Sequence, residues 1–137
     1  MAEKIHLEIV TPEQKVVSED VQIVMAPGSM GEFGVLPGHT PFMTSLKVGA
    51  VRYDDEKGIE RVVFVSGGFA EALPDKVTIL ADAAERRRDI NIERAKAAKT
   101  RAEDRLAQQS DEVNYTRARA SLMRAIMRIQ LAESRSS

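Results

Sequence analysis

Arginine spacing is the most informative chemistry in the carboxy-terminal third of the sequence. Arg124 and Arg128 stand four residues apart, and Arg94 and Arg101 seven apart, so on a helix each pair shares a face. If a turn falls near residues 109 to 112, antiparallel folding sets Arg94 level with Arg124 and Arg128, with Arg101 one turn away. Guanidinium groups gathered in this way repel one another unless an anion, or carboxylates such as Glu85 and Glu93, sit among them. Their forked donors suit phosphate. The same residues also suit ordinary solvated helix faces, and spacing alone leaves both readings open.

Elsewhere the candidate chemistry is thinner. The stretch from Pro27 to Pro41 is rich in glycine, but it lacks the lysine and hydroxyl residue of a phosphate loop, and Gly28, Gly31 and Gly34 do not follow dinucleotide spacing. Its glycines read as turns, with Glu32 and Phe33 available as a contact tip. Ser66, Gly67 and Gly68 read as a strand bend, and His39, close to Pro41, as a hydrogen-bonded turn residue instead of a base. The two histidines, His6 and His39, are too few for a metal cluster, and the absence of cysteine excludes disulfides and thiolate metal sites. No nucleophile, general base or metal carboxylate pair accompanies the arginines, so the sequence reads as a binding protein and not an enzyme.

These residues need elements to place them, and the chain divides into two chemically distinct parts. Residues 1–82 carry seven Lys/Arg and thirteen Asp/Glu, net −6, whereas residues 83–137 carry thirteen and eight, net +5. The hydrophobic period changes at the same place. In the first part, alternation such as Ile5, Leu7 and Ile9 against His6 and Glu8 predicts half-buried strands. Similar runs recur at QKVV, VQIVMA, FMTSLK, AVRYD, RVVFVS, FAEAL and KVTIL, broken by turn residues, which predicts a β-sandwich or barrel over residues 1–83.

Residues 84–137 contain no glycine or proline and favour helix. A first helix is expected from an Asn91 cap to about Gln109, with Ile90 packing back on its first turn, and a second from near Asp111 to about Glu133. The QQSD link between them is short, so the pair forms an antiparallel hairpin. The first helix offers Ile92, Ala95, Ala98, Ala102 and Leu106, a stripe that buries little area. The second carries two stripes, Val113, Ala120, Met123, Met127 and Leu131 on one side and Leu122, Ile126 and Ile129 on another. The hairpin therefore either rests permanently on the β-domain or serves more than one packing partner. With 4% aromatic residues and a formal net charge of −1, a nucleic-acid module is disfavoured, although a basic hairpin binding nucleic acid or another acidic partner is the alternative reading.

Three segments, GSMGEFGVLPGHTPFMTSLKVGAVR, FVSGGFAEALPDKVTILADAAER and INIERAKAAKTRAEDRL, are similar in order and spacing to the epsilon subunit of bacterial-type F-type ATP synthases. The resemblance covers nearly the whole chain. It implies a β-sandwich of about ten strands followed by a two-helix hairpin, and a non-catalytic part of the central stalk that couples proton flow to ATP synthesis. Its implied partners are the gamma subunit, the membrane-embedded c-ring, and the alpha and beta subunits, with membrane association only through the complex, on the cytoplasmic face of the inner membrane. The family's ring-contacting turn corresponds to Ser29, Met30, Gly31 and Glu32, and its gamma-facing side to His39 and Thr40. The family's hairpin either lies folded on the sandwich or extends towards alpha and beta, where a basic second helix, here with Arg117 and Arg119, opposes hydrolysis. An arm of about 45 residues spans roughly 65 Å of helix when laid end to end.

Some members of that family bind ATP in the hairpin through a motif Ile/Leu-Asp-x-x-Arg-Ala with further arginines downstream. The matching positions are Ile90, Asn91, Arg94 and Ala95, then Arg101, Arg124 and Arg128, with Glu85 ahead of them. Asn91 departs from the motif's aspartate. It still caps a helix, but a contact that needs the carboxylate is lost. The resemblance implies ATP as a regulatory ligand and no catalytic cofactor.

Overall fold

The computed structural model describes residues 3–108 and 113–134, in two compact units that divide between Arg86 and Arg87. Residues 109–112, where the hairpin turn was expected, lie outside the described residues.

The first unit is all β, and its first strand confirms the sequence pattern. β1 (Ile5–Val10) alternates fully buried Ile5, Leu7 and Ile9 with half-buried neighbours. β2 (Lys15–Gly28), β4 (Phe42–Asp55) and β5 (Glu60–Ala72) are long, and each joins two of the short runs read from sequence. β3 (Gly31–Val35), β6 (Lys76–Ala81) and β7 (Ala84–Arg86) complete seven strands among the described residues, not about ten. The difference arises because a long strand can bend without ending. Register shifts mark β2 between Val21 and Ile23 and between Met25 and Gly28, while β5 bends at Gly67 and Gly68.

Gly68 shows why that bend needs glycine. Its φ is +119°, and a Cβ there would lie 2.0 Å from the Leu80 carbonyl oxygen. The bend lets β5 pair with β7 through Val63–Val65 and with β6 through Gly68–Ala72.

Pairing closes five strands on themselves, since β1 joins β2 and β6, β2 joins β4, β4 joins β5, and β5 joins β6. The β1–β6 pair is parallel, and β3 and β7 extend the ring from β2 and β5. Closure removes most free edges, and the ring encloses a core of Val, Ile, Leu and Ala side chains around Tyr53. Burial pushes the Tyr53 phenol pKa up, against the pull of Arg86. Arg86 Nη1 donates to the Tyr53 hydroxyl at 3.2 Å and Nη2 to the Val16 carbonyl at 3.1 Å, tying β7 to the body of the unit. The expected division after residue 83 would have placed Ala84–Arg86 with the helices, whereas they form this strand.

The second unit holds a short 3-10 turn (Arg87–Asp89) and two helices, α1 (Ile92–Ala107) and α2 (Tyr115–Ser134). Asn91 is the cap of α1, its side-chain oxygen accepting from the Arg94 N–H at 3.0 Å. Ile90 and Ala95 are both buried, as a staple before the first turn requires. α2 begins later than expected from Asp111. Its cap is Asn114, which accepts from the Arg117 N–H at 3.0 Å. The Tyr115 hydroxyl donates to the Gln108 carbonyl, so the start of α2 meets the end of α1 and the helices run antiparallel. The most buried side chains of α2 are Ala118, Ala125, Leu131 and Ala132, of which the three alanines repeat every seventh position, while Met123 is 62% exposed.

Candidate functional site

The first unit presents a rigid hairpin tip. Gly28 pairs with Gly31 across the β2–β3 turn, leaving Ser29 and Met30 at the apex. Ser29 is pinned to β4: its N–H donates to the Ser45 carbonyl at 2.9 Å, and the two hydroxyl oxygens lie 2.6 Å apart. Gly31 takes a positive φ of 130° in open space, Glu32 is exposed, and Met30 is 97% exposed. The tip is therefore not purely polar, since its most prominent side chain is a thioether.

Between β3 and β4, His39 stacks edge-on to Phe42 with ring centroids 4.9 Å apart, and its Nδ1 meets the Thr40 carbonyl. Phe42 in turn meets Phe33 at 5.1 Å in a T-shaped pair. His39 is thus a turn residue, as its sequence context indicates, and Thr40 beside it is exposed. On strands β4 to β6, Ser45 pairs with Phe69 and Phe69 with Leu80, and Met43, Phe69 and Leu80 are 55–68% exposed.

His6 has polar neighbours on the β1–β2 ladder. Asp20 Oδ1 lies 3.0 Å from Nδ1, while the Ser18 hydroxyl and a Glu8 carboxyl oxygen lie 3.3 and 3.4 Å from Nε2. The set follows from register, because His6 faces Asp20 and Glu8 faces Ser18 across the β1–β2 ladder. It is cross-strand pairing of polar residues, with Glu8 competing for the nitrogen that a hydrolytic base would aim at serine. Burial opposes ionisation of Glu8, but Lys15 and Lys76, 3.5 and 3.8 Å away, hold its carboxyl below the usual range.

The second unit contains a groove of about 180 Å³ between α1 and α2. Ala98, Ala102 and Ala118 and the Ser121 hydroxyl line it together with Arg101, Arg105, Arg124 and Arg128. The lining contains four guanidinium groups and no carboxylate. Alanines on both helices permit the close approach that brings the arginines together. Arg124 is oriented by its Nη2, which donates to the Ser121 hydroxyl at 3.0 Å. Among the described residues, Arg101, Arg105 and Arg124 form no ion pair within 4.0 Å.

Three of the four arginines expected to converge do so, and Arg94 does not line the groove. It shares a face with Arg101 but stands seven residues earlier, about 10 Å up the helix axis. Arg105 takes the fourth place, and its signal in the sequence was its spacing, four residues after Arg101. Ile90, Asn91 and Ala95 surround the start of α1, where Asn91 is engaged as cap. Glu85 lies in β7 of the first unit, paired with Phe64. Arg117 and Arg119 are exposed in the first turns of α2.

Comparison with known proteins follows the same division. Residues 4–87 match the family described as ATP synthase, delta/epsilon chain, beta-sandwich domain, and residues 88–133 match its long alpha-helix domain. The ATP synthase epsilon chain of Desulforapulum autotrophicum is 61% identical over 135 residues, covering 98% of this chain and 100% of the relative. That of Syntrophobacter fumaroxidans is 59% identical over 133 residues, 97% and 98% of the two chains. Among solved structures, a chain of the Euglena gracilis mitochondrial ATP synthase OSCP/F1/c-ring assembly superposes with a TM-score of 0.78 at 23% identity, over 95% of this chain and 81% of that one. A chain of the Tetrahymena thermophila mitochondrial ATP synthase central stalk/c-ring gives 0.60 at 11% identity, over 95% and 97%. At such identities these two superpositions speak for the fold, and the bacterial relatives speak for the family. The chain belongs to the delta/epsilon family of ATP synthase chains, as a non-catalytic epsilon chain of bacterial type.

Proposed function

We propose that this chain is the central-stalk subunit of a rotary ATP synthase, that its helical hairpin brakes ATP hydrolysis, and that ATP binds the hairpin as a regulatory ligand. The observation that carries the regulatory part is the arginine groove. Four guanidinium groups around one cleft, with no carboxylate in its lining, make a site for a polyanion. Arg101, Arg124 and Arg128 take the phosphates, while Ile90, Asn91, Arg94 and Ala95 at the head of α1, together with Glu85, are the remaining positions at which the family motif places nucleotide contacts. Asn91 already uses its side-chain oxygen to cap α1, so its first role is structural.

The β-unit supplies the fixed contacts. The Ser29–Glu32 tip meets loops of the c-ring, and the side bearing His39 and Thr40 meets gamma. Arg117 and Arg119, exposed on α2, meet an acidic part of beta and attach the hairpin when it inhibits. This chain is peripheral, held at the cytoplasmic face of the inner membrane only through the complex, and among the described residues no helix is long and apolar enough to cross a bilayer.

Calorimetric titration of the purified chain with ATP tests the regulatory reading. Binding that raises the melting temperature is expected, with about 2.7 kcal/mol of stabilisation at a hundredfold excess over the dissociation constant. ADP, with one phosphate fewer, binds less tightly. Absence of heat and of a thermal shift at millimolar ATP would remove the sensor and leave the arginines as a solvated or beta-facing surface.

A further inference from the structure

Met30 stands apart from the other methionines of the chain. It is 97% exposed, against 68% for Met43 and 62% for Met123, while Met25 and Met127 are half-buried. The Met25 sulfur lies over Gly34 of the neighbouring strand, where an added Cβ would come within 2.7 Å of it. At its exposure Met30 has no comparable cover among the described residues. Gly28 and Gly31 close the turn around it without side chains, and a Cβ at Gly31 would meet only open space. The bonds from Ser29 to Ser45 pin the turn beneath it. A thioether presented in this way has two properties: it is an apolar contact group of adaptable shape, and its sulfur is open to oxidants.

Resting on the reading of the Ser29–Glu32 tip as a partner contact, we infer that Met30 is a site of reversible oxidation and that its sulfoxide loosens the tip from that partner. The oxidant is a peroxide, in the simplest case hydrogen peroxide. The sulfur lone pair attacks one peroxide oxygen and the O–O bond breaks; sulfur loses two electrons and gains that oxygen, and the other leaves as water. A polar, chiral group then stands where the apolar side chain stood. Covering a methionine side chain completely is worth about tenfold or more in affinity, and the sulfoxide forfeits this share. Glu32, exposed two residues further on, is unaltered, so the polar part of the tip persists. Sulfoxide reductases, one for each epimer, restore the thioether, which makes the step a switch.

The test treats the full chain with hydrogen peroxide and follows each methionine by peptide mass spectrometry. Met30 sulfoxide should form ahead of Met43 and Met123 sulfoxide; either of the latter forming first would overturn the site. Treated chain is then used to restore proton-driven synthesis to complexes depleted of this chain. The half-saturating concentration should rise by about tenfold and fall back after both reductases have acted. A Met43→Leu, Met123→Leu double variant should show the same rise, whereas Met30→Leu, which has no sulfur at the tip, should stay within about twofold of its own untreated value. A rise that persists in Met30→Leu would overturn the inference. Assembled complexes treated with peroxide separate it from the reading beneath it. Met30 protected there, with oxidised chain restoring synthesis at an unchanged concentration, would leave the contact standing and overturn the switch. Met30 oxidised as fast in the complex as in the free chain would remove both.

Discussion

A chain ending at Ala83 and one ending at Arg86 differ by three residues, and the structure predicts that they differ widely in stability. Those residues are β7, which pairs with Val63, Phe64 and Val65 on β5. Removing them strips backbone hydrogen bonds from the edge of β5, each contributing about 1 kcal/mol. It also removes Arg86, whose guanidinium reaches the Tyr53 hydroxyl and the Val16 carbonyl and lies 3.9 Å from Glu19. Tyr53 is 1% exposed, so the loss of its partner leaves a buried hydroxyl unpaired, at about 1–3 kcal/mol. The total is about 3–5 kcal/mol, a large share of the ~5–15 kcal/mol that holds an ordinary domain together. At about 4–8 °C per kcal/mol for a domain of this size, the shorter fragment should melt on the order of 20 °C below the longer. Thermal unfolding followed by circular dichroism measures this directly. Fragments that melt within about 3 °C of each other would show that β7 and its arginine do not hold the unit together, and an Arg86→Ala change in the longer fragment assigns the share due to the side chain.

Further expectations bear on other parts of the chain. Gly68→Ala should cost more than about 3 kcal/mol because strain and overlap with the Leu80 carbonyl combine, whereas Gly31→Ala, with a similar φ in open space, should cost about 1–2; equal denaturant midpoints would refute the difference. The Asp55 carboxyl is held below its usual range chiefly by the Ile59 N–H, opposed by partial burial and aided by Arg61 and the Lys57 N–H. Its stabilisation is complete above the unfolded value of about 3.9 and is lost as pH falls through the lower folded value. Asp55→Asn should therefore melt lower at neutral pH but show a flatter decline below pH ~4, and parallel melting curves would contradict that. Replacing Arg117 and Arg119 by alanine should weaken inhibition in the assembled complex with helix content intact, most at low ionic strength, and an effect that grew with salt would exclude attraction to an acidic partner.

Much of this architecture could be read from the chain because local signals agreed with the tertiary outcome. Alternation in β1, the Asn91 cap and the glycine pair in β5 each state a backbone requirement that the structure meets. What escaped depends on contacts distant in sequence. β7 is made of Ala84, Glu85 and Arg86, residues that favour helix, and is a strand only because β5 offers an edge and Tyr53 a partner. β3 was hidden among turn glycines, and the long strands read as pairs because bulges interrupt their pattern. For α2, Asp111 and Asn114 are both competent caps, and sequence could not rank them. The apolar stripe of α2 misled for another reason: Val, Leu and Met dominate a periodicity count, but the most buried positions are largely alanines. The arginine cluster was legible in kind and off by one residue, since the register assumed from a turn near residues 109 to 112 set Arg94 level with Arg124 and Arg128, whereas Arg101 and Arg105 line the groove with them.

The ATP hydrolysis rate of the assembled complex shows whether the helical unit restrains a motor which the β-unit couples. The comparison is between complexes containing the full chain and complexes containing a chain ending at Arg86, the end of the first compact unit. The shorter chain should still assemble and still support proton-driven synthesis while hydrolysis rises. Unchanged hydrolysis in a correctly assembled complex, under conditions in which the full chain inhibits, would contradict it.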